Sequence, residues 1–424
     1  MHLLFVHQDF PAQFGHLAEY LARRAGHRCT FVSEKPSGRV GAVECVQYRV
    51  RGGATAQNHY CSRTFENNIW HAQAVYDALK ARPDLQPDLV IGHSGFGSTV
   101  FLRELYDCPI INYFEYFYHT KNSDMDFRPD FPVTDLDRLR ARARNAMVLL
   151  DLENCDAGYS PTHWQRGRLP AAFGDKVRVI FDGIDTNLWR PIPDSPRRLG
   201  RLEVPPDIKV VTYATRGMES MRGFDIFMKV AKELCRRRRD VIFLVAGEDR
   251  VCYGGDRAVT GARTFREWVL SRDEFDLSRF AFLGWLPAPD LVHLFNLSNL
   301  HMYLTVPFVL SWSLMNALAC GATVLASDTA PVREVIEHGR DGLLAGFFDI
   351  EGMAALADRA LDSPGEFAHL GPAGVELVRE RYSLDVCLPR ISSFFEEIAA
   401  GDGRGTRPGP EAGPGTEESR RDGE

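Results

Sequence analysis

The feature that most constrains this chain is an alternation of short apolar runs and amphipathic stretches that starts, breaks off and starts again. His2 to Val6, Cys29 to Val32, Leu89 to Ile91, Ile110 to Ile111 and Val177 to Ile180 are apolar runs of strand length. Between them apolar residues recur at helical spacing, as Phe14, Leu17 and Leu21 do. Strands that are apolar throughout and separated by helices predict a parallel sheet covered on both faces. The theme returns with Lys209 to Tyr213, Val241 to Val245, Phe280 to Leu283, Leu300 to Leu304 and Thr323 to Ala326, with a helical stretch at Phe224 to Leu234. The break, Trp189 to Pro206, holds Pro191, Pro193, Pro196, Pro205 and Pro206. Proline has no N–H to give a helix or a sheet ladder, so this stretch suits a boundary. The pattern predicts an α/β chain of two Rossmann-like doubly wound domains, residues 1–190 and 207–375, joined by a linker at 191–206. Such sheets bind ligands at the carboxyl ends of their strands. An amphipathic helix at Leu384 to Ile398, within 376–400, is placed to pack back across the first domain. Residues 401–424 are Gly, Pro, Glu and Arg, with almost nothing to bury, and are expected to be disordered.

Composition narrows the function classes. A formal net charge of -7 gives no general footprint for nucleic acid, so no nucleic-acid partner is expected. The nine cysteines are scattered and form no CxxC pair, which argues against a disulfide scaffold or a zinc cluster and for a reducing, cytoplasmic setting. The start, HLLFVH, lacks the basic and long apolar regions of a signal peptide, and no apolar run reaches membrane-spanning length. A peripheral visit to a membrane stays open, because an acceptor can be a lipid. The run Arg236 to Arg239 reads either as a contact for anionic headgroups or as the solvated end of a helix.

Six segments carry chemical content. In FVHQDFPAQFGH (5–16), Gly15 opens a helix after a strand, which suits either close approach of a ligand or an ordinary tight turn. In IGHSGFGSTVF (91–101), His93 stands at a strand end among small residues, as an active-site group or as a structural hydrogen bonder. In NYFEYFYH (112–119), Glu115 lies among aromatics that form either a wall for a sugar or core packing. VVTYATRGMESMRGFDIF (210–227) is the strongest. Arg216 follows a strand and Arg222 with Gly223 opens the next helix, so two guanidiniums and backbone donors can clamp a diphosphate. The same donors stabilise the charge that develops on a departing nucleoside diphosphate. VAGEDRVCYGG (245–255) runs from a strand into a loop at Gly247, a plausible contact for a nucleoside. In the stretch 303–336, a helix is predicted from Ser311 or Ser313 to Cys320 and Gly321, with serine as its cap. Ser311 and its neighbours suit a phosphate, and Asn316 can bond a sugar hydroxyl.

Over roughly residues 1–398 the chain resembles retaining glycosyltransferases of family 4, whose two Rossmann-like domains face across a cleft in the B-type architecture. It looks most like bacterial members carrying FVHQxFPxQF, then TRGMExxRGF, then PFVLSWSL in that order. The resemblance implies that Arg216 and Arg222 hold the donor diphosphate and act in catalysis. It sets His93 beside the transferred sugar, Gly15 near donor and acceptor, and Ser311, Trp312 and Ser313 at the diphosphate; Gly247 and Glu248 are added as donor contacts from the loop at 245–255. The two motif glutamates of the family align with Phe308 and Asn316, the second being the position that bonds the donor ribose. An amide bonds a hydroxyl without the charge that strengthens the bond, a loss of about 1.5–3 kcal/mol. Altered nucleotide preference, weak donor binding and a non-catalytic nucleotide-sugar-binding partner protein are the three accounts of this change. The implied donor is a nucleoside-diphosphate sugar, with UDP-sugars favoured over GDP-sugars, and neither a metal nor another cofactor is required. The acceptor, a hydroxyl on a sugar, natural product or lipid-linked sugar, is expected against Asp9, Phe10, Phe14, Glu115 and Tyr118. The pattern expected of a UDP-sugar epimerase on the same architecture is not found.

Overall fold

The structure is a computed structural model that describes residues 1–261 and 263–401. The expectation of disorder near the C-terminus falls on 402–424, outside the described residues.

The first sheet consists of β1 (His2–Val6), β2 (Arg28–Ser33), β3 (Gly38–Val40), β4 (Val43–Gln47), β5 (Leu89–His93), β6 (Ile110–Tyr113), β7 (Ala157–Ser160) and β8 (Val177–Val179). Their order is β3-β4-β2-β1-β5-β6-β7-β8, and only the edge strand β3 runs antiparallel to its neighbour. In β1, Leu3 and Phe5 enter one apolar cluster while Leu4 and Val6 enter another on the opposite face. A period of two side chains thus feeds two cores, which is why the whole strand is apolar.

A short hairpin, β9 (Arg198–Leu199) and β10 (Leu202–Glu203), interrupts the proline-rich stretch. The composition predicted an irregular linker there. Instead Leu199 and Val204 are buried against the second domain, so the stretch is held down by packing. The second sheet holds β11 (Lys209–Gly217), β12 (Val241–Glu248), β13 (Phe280–Gly284), β14 (Leu300–Tyr303), β15 (Val324–Ser327) and β16 (Leu343–Ala345). All its pairs are parallel, in the order β13-β12-β11-β14-β15-β16. The chain order reverses between β1 and β5 in one sheet and between β11 and β14 in the other. Those two switch points carry the crevices in which open α/β sheets bind ligands.

Two segments tie the halves together. The chain returns from the second domain at Ser383, which bridges to Ile184, and the helix Leu384–Ala400 follows. Its Leu388, Ile391, Phe394, Phe395 and Ile398 are part of the first domain's core, beside Phe5, Phe14 and Tyr159. Each such side chain contributes about 1.5–3 kcal/mol on burial. In the other direction, an arm at 123–134 leaves the first domain and lies on the second. Phe127 meets Phe347 at 5.3 Å between ring centroids, and Phe131 meets Phe265 at 5.8 Å. Between them Arg128 bonds both carboxylate oxygens of Asp225 at 2.8 and 2.7 Å and the Ser220 carbonyl at 2.9 Å.

No helix among the described residues is long and apolar enough to cross a membrane. The arginines at 236–238 close the helix Phe224–Arg237 and are engaged by carboxylates: Glu233, Glu351, Asp240 and Asp358.

Candidate active site

The first domain presents two histidines at its switch point. His7 follows β1 and His93 ends β5, with ring centroids 5.2 Å apart. His93 is 2% exposed. Its Nδ1 lies 2.9 Å from the Ser94 carbonyl, which only accepts, so Nδ1 carries the proton and Nε2 keeps its lone pair. Burial pushes its pKa down to about 4, which keeps the ring neutral. Nε2 is buried without a hydrogen-bond partner, 3.8 Å from a carboxylate oxygen of Glu115. His7 accepts from the Asp9 amide at 2.9 Å, and burial beside His93 pushes it down to about 3. Glu115 follows β6. Burial raises its carboxyl above the usual range, while the charges of Arg222 and then Arg216 oppose the rise. Those two guanidiniums belong to the second domain, so the charges interact across the cleft.

On the second domain, Arg216 ends β11, is exposed, and shares a hydrogen bond with the Tyr253 side chain. Arg222 is 4% exposed. Its Nη1 donates to Thr305 Oγ1 at 2.9 Å and to the Val309 carbonyl at 3.2 Å. Its guanidinium carbon stands 5.2 Å from the Tyr253 ring and 5.7 Å from the Phe308 ring, in the range of cation–π attraction. Gly223 makes the turn from Arg222 into its helix at φ 62°, where an added Cβ would stand 2.8 Å from Leu304. Ser311 caps the helix Trp312–Ala319, its Oγ accepting from Ser313 N at 3.2 Å. Asp182, following β8, accepts from Tyr113 Oη and Trp312 Nε1, both at 3.2 Å.

The fold brings Glu115 within electrostatic reach of Arg216 and Arg222, with His93 beside Glu115 at 3.8 Å. Asp9 is among the charges acting on Arg216. Trp312 reaches the first domain through Asp182. Several expected placements are corrected. Phe14 is 0% exposed and sits in the core, so it supports the histidines rather than lining a wall. Phe10 turns inward onto Phe31, with ring centroids 4.9 Å apart. Gly15 does not open a path for a ligand, because Pro11 fills the space: an added Cβ would stand 2.1 Å from Pro11 Cβ. Tyr118, by contrast, lines a cavity between the domains, with the Arg144 guanidinium 3.8 Å from its ring centroid and bonded to its hydroxyl. Gly247 packs on its neighbour strand, where a Cβ would meet Thr215 O at 2.6 Å, and Glu248 is engaged by Arg250 at 2.5 Å. Asn316 is half-buried on its helix, and its side-chain amide has no protein partner among the described residues.

Residues that the sequence reading passed over include His7, Asp182, Tyr253 and Glu219. Glu219 is 0% exposed, and its Oε2 accepts from the amides of Cys252, Tyr253 and Gly254 at 2.8, 2.8 and 3.1 Å. It thereby holds the loop that carries Tyr253 to both arginines. The Glu within RGMES, between the two arginines, was the available signal. Among the described residues no group of three or more His, Cys, Asp or Glu is placed to hold a metal ion.

Comparison with known proteins places both halves. Residues 25–189 match the model of a glycosyl transferase family 4 group, and residues 208–363 match glycosyl transferases group 1. Among curated relatives, the alpha-D-kanosaminyltransferase of Streptomyces kanamyceticus is 23% identical over 192 residues, 45% of this chain and 46% of that protein. The alpha-maltose-1-phosphate synthase of Mycolicibacterium smegmatis is 25% identical over 247 residues, 54% of this chain and 59% of that protein. The chain thus spans about half the length of the curated relatives it matches. Among solved structures, a sucrose-phosphate synthase from Thermosynechococcus elongatus superposes with a TM-score of 0.72 at 18% identity, over 95% of this chain and 100% of that one. The Anabaena protein HepE in complex with UDP-glucose gives a TM-score of 0.65 at 15% identity, over 94% and 100%. The chain therefore carries a region like the glycosyl transferase family 4 group at 25–189 and one like glycosyl transferases group 1 at 208–363, on two Rossmann-like domains that face each other across a cleft in the B-type fold.

Proposed function

We propose that this chain transfers a sugar from a nucleoside-diphosphate sugar to a hydroxyl acceptor with retention of anomeric configuration. The observation that carries the reading is the pairing of Arg216 and Arg222 on one lip of the cleft with a neutral His93 and Glu115 on the other. In this reading the diphosphate lies between the exposed Arg216 and the helix that Ser311 caps. Arg222, fixed by Thr305 and by two aromatic rings, supplies a preorganised positive charge where negative charge develops on the leaving phosphate. His93 Nε2 is an acceptor, so it receives a hydroxyl of the transferred sugar and orients it without taking a full charge. The acceptor hydroxyl attacks on the face from which the nucleoside diphosphate leaves and passes its proton to that phosphate. Asp9 and Glu115 remain as the acceptor-side groups. Closure of the two halves excludes water, which otherwise competes as an acceptor. A UDP-sugar donor is favoured, because HepE, with the same fold, is described with UDP-glucose bound.

A second reading rests on Asn316 and Phe308. The half-buried amide has no protein partner among the described residues, and a phenyl ring covers Arg222. A chain with this site binds nucleotide weakly, or binds it as the partner of an active transferase. Thermal unfolding with UDP, GDP and their sugar conjugates separates the readings. Stabilisation by one nucleotide set, lost in Arg216→Ala, followed by sugar turnover with the anomeric configuration kept, supports the first. Stabilisation without turnover supports the second. No stabilisation by any nucleotide at millimolar concentration removes both.

A further inference from the structure

An interdomain cavity of about 460 Å³ adjoins the cleft and shares Tyr253 and Phe308 with the surroundings of Arg222. The arm at 123–134 and the helix Asp135–Asn154 form its first-domain side, and the loop after β12 forms its second-domain side. Its size suits a monosaccharide with a substituent, since ligand sites run from about 300 to 1,000 Å³. Two arginines of the helix, Arg140 and Arg144, line it. Four residues apart, they are neighbours on one helix face, where like charges repel.

The partners these arginines have are phenols. Arg140 donates to Tyr60 Oη at 2.9 Å and stands 4.7 Å from that ring's centroid. Arg144 covers Tyr118 in the same manner. The Nε of each is buried with no acceptor. Neither guanidinium is ion-paired with a carboxylate among the described residues, whereas Arg128 in the same wall holds Asp225 and Asp130. The acids of the cavity are engaged elsewhere. Asp124 accepts from the Tyr116 hydroxyl, Asp137 accepts from Thr134 N and Oγ1 and, at 3.3 Å, from the Tyr60 hydroxyl, and Asp256 accepts from Ser220 N at 2.8 Å. The result is a pair of like charges, braced by aromatic rings, beside a void. A guanidinium pair of this kind is completed by an oxyanion, which accepts two or more charge-assisted bonds at once.

We propose that this cavity receives an oxyanion, phosphate or carboxylate, carried by the acceptor, with Arg140 and Arg144 as its cationic pair. The acceptor is then a charged sugar rather than a neutral one. This rests on the reading of the chain as a glycosyltransferase with its acceptor against the first domain. The test is isothermal titration calorimetry of the full chain with glucose 6-phosphate, glucuronate and glucose. Wild type, Arg140→Gln/Arg144→Gln and Arg216→Ala are compared. The expected result is binding of glucose 6-phosphate or glucuronate, or both, to wild type and equally to Arg216→Ala, at least about tenfold weaker in the double variant, with no binding of glucose. Which charged sugar binds names the oxyanion. Should the double variant fail to fold, Arg144→Gln alone carries the same test with a smaller loss. Binding of no charged sugar, equal binding to a folded arginine variant, or loss confined to Arg216→Ala overturns the proposal, the last by assigning the anion to the donor side. UDP is titrated in parallel. If UDP binds and no charged sugar does, the cavity proposal alone falls; if UDP also fails, the glycosyltransferase reading falls with it.

Discussion

The indole N–H of Trp312 donates to Oδ2 of Asp182 at 3.2 Å, and this bond joins the two halves of the molecule beside the helix that Ser311 caps. The same oxygen accepts from the Tyr113 hydroxyl at 3.2 Å. Asp182 is 6% exposed, and burial pushes its pKa up to about 7, against the two hydrogen bonds that oppose the rise. A carboxyl whose folded pKa lies above its unfolded value binds its proton more tightly in the folded state. Its stabilising contribution is fully present below about pH 4, the unfolded pKa, and is lost as pH rises through about 7. Asp182→Asn keeps an oxygen that accepts from both donors and removes the charge. The thermal midpoint of the variant minus that of wild type is expected to grow between pH 5 and pH 8. A difference that stays flat with pH contradicts this account.

Arg128 and Asp225 form a buried pair that also crosses the domains, at 2.8 and 2.7 Å. Removing Arg128 leaves Asp225 buried and without its counter-ion, whereas removing Asp225 leaves Arg128 with Asp130, at 2.6 Å. Arg128→Met is expected to lower unfolding free energy by about 3–5 kcal/mol, Asp225→Asn by less because Asp130 still pairs Arg128, and the double exchange Arg128→Met/Asp225→Asn by less than the sum. Urea unfolding of the three variants measures the coupling. Additive losses would mean that the arm is held by its phenylalanines alone.

Glu219 predicts a split between stability and binding. Glu219→Ala strips three amides of their acceptor, so stability is expected to fall by about 1–3 kcal/mol for each N–H left buried. Tyr253→Phe leaves those bonds intact and removes only the hydroxyl at Arg216. It is expected to keep the unfolding midpoint and to weaken UDP binding several-fold, about 0.5–1.5 kcal/mol for one neutral hydrogen bond. Unchanged UDP binding in Tyr253→Phe would detach this loop from the donor.

The sequence carried the sheets well where strands are buried on both faces. β1, β2, β5 and β6 in the first domain and β11, β12, β14 and β15 in the second are such strands, and their pattern alone marks them; β8 and β13 are partly buried edge strands that their apolar residues still marked. β7 escaped because AGYS has little apolar content; it is a strand because β6 and β8 pair with it on either side. β3, β4 and β16 were not marked: β3 is three exposed residues, β4 carries Glu44 and Gln47 among its apolar residues, and β16 is a short strand at the sheet edge. At the site, Arg216 and Arg222 were visible from their place after a strand and before a helix. Their unequal burial was not, because Thr305, Phe308 and Tyr253 arrive from other segments. Phe14 and Phe10 misled the acceptor reading for a related reason. A phenylalanine near a strand end looks alike whether it faces a cleft or the core, and only the return of Leu384–Ala400, with the packing of Phe31, decides. The arm at 123–134 gave no signal, since its Phe127, Arg128 and Phe131 have partners on the other domain.

Asn316 offers the most direct test of the donor reading. Its amide has no protein partner among the described residues and lies one turn along the helix that Ser311 caps. If it faces the donor ribose, a carboxylate there accepts from two hydroxyls with charge assistance, and Asn316→Glu is expected to tighten UDP binding by about tenfold or more, the equivalent of 1.5–3 kcal/mol. The positive charges of Arg216 and Arg222 on the same lip lower the cost of the new charge. Titration of UDP and of UMP into both forms distinguishes the site of action. Ribose contact tightens both ligands alike, whereas repulsion of the diphosphate by the new carboxylate weakens UDP relative to UMP. If neither ligand changes its affinity, Asn316 does not face the ribose. Its departure from the family pattern then says nothing about the strength of donor binding, and the covering of Arg222 by Phe308 is left as the feature that distinguishes this donor site.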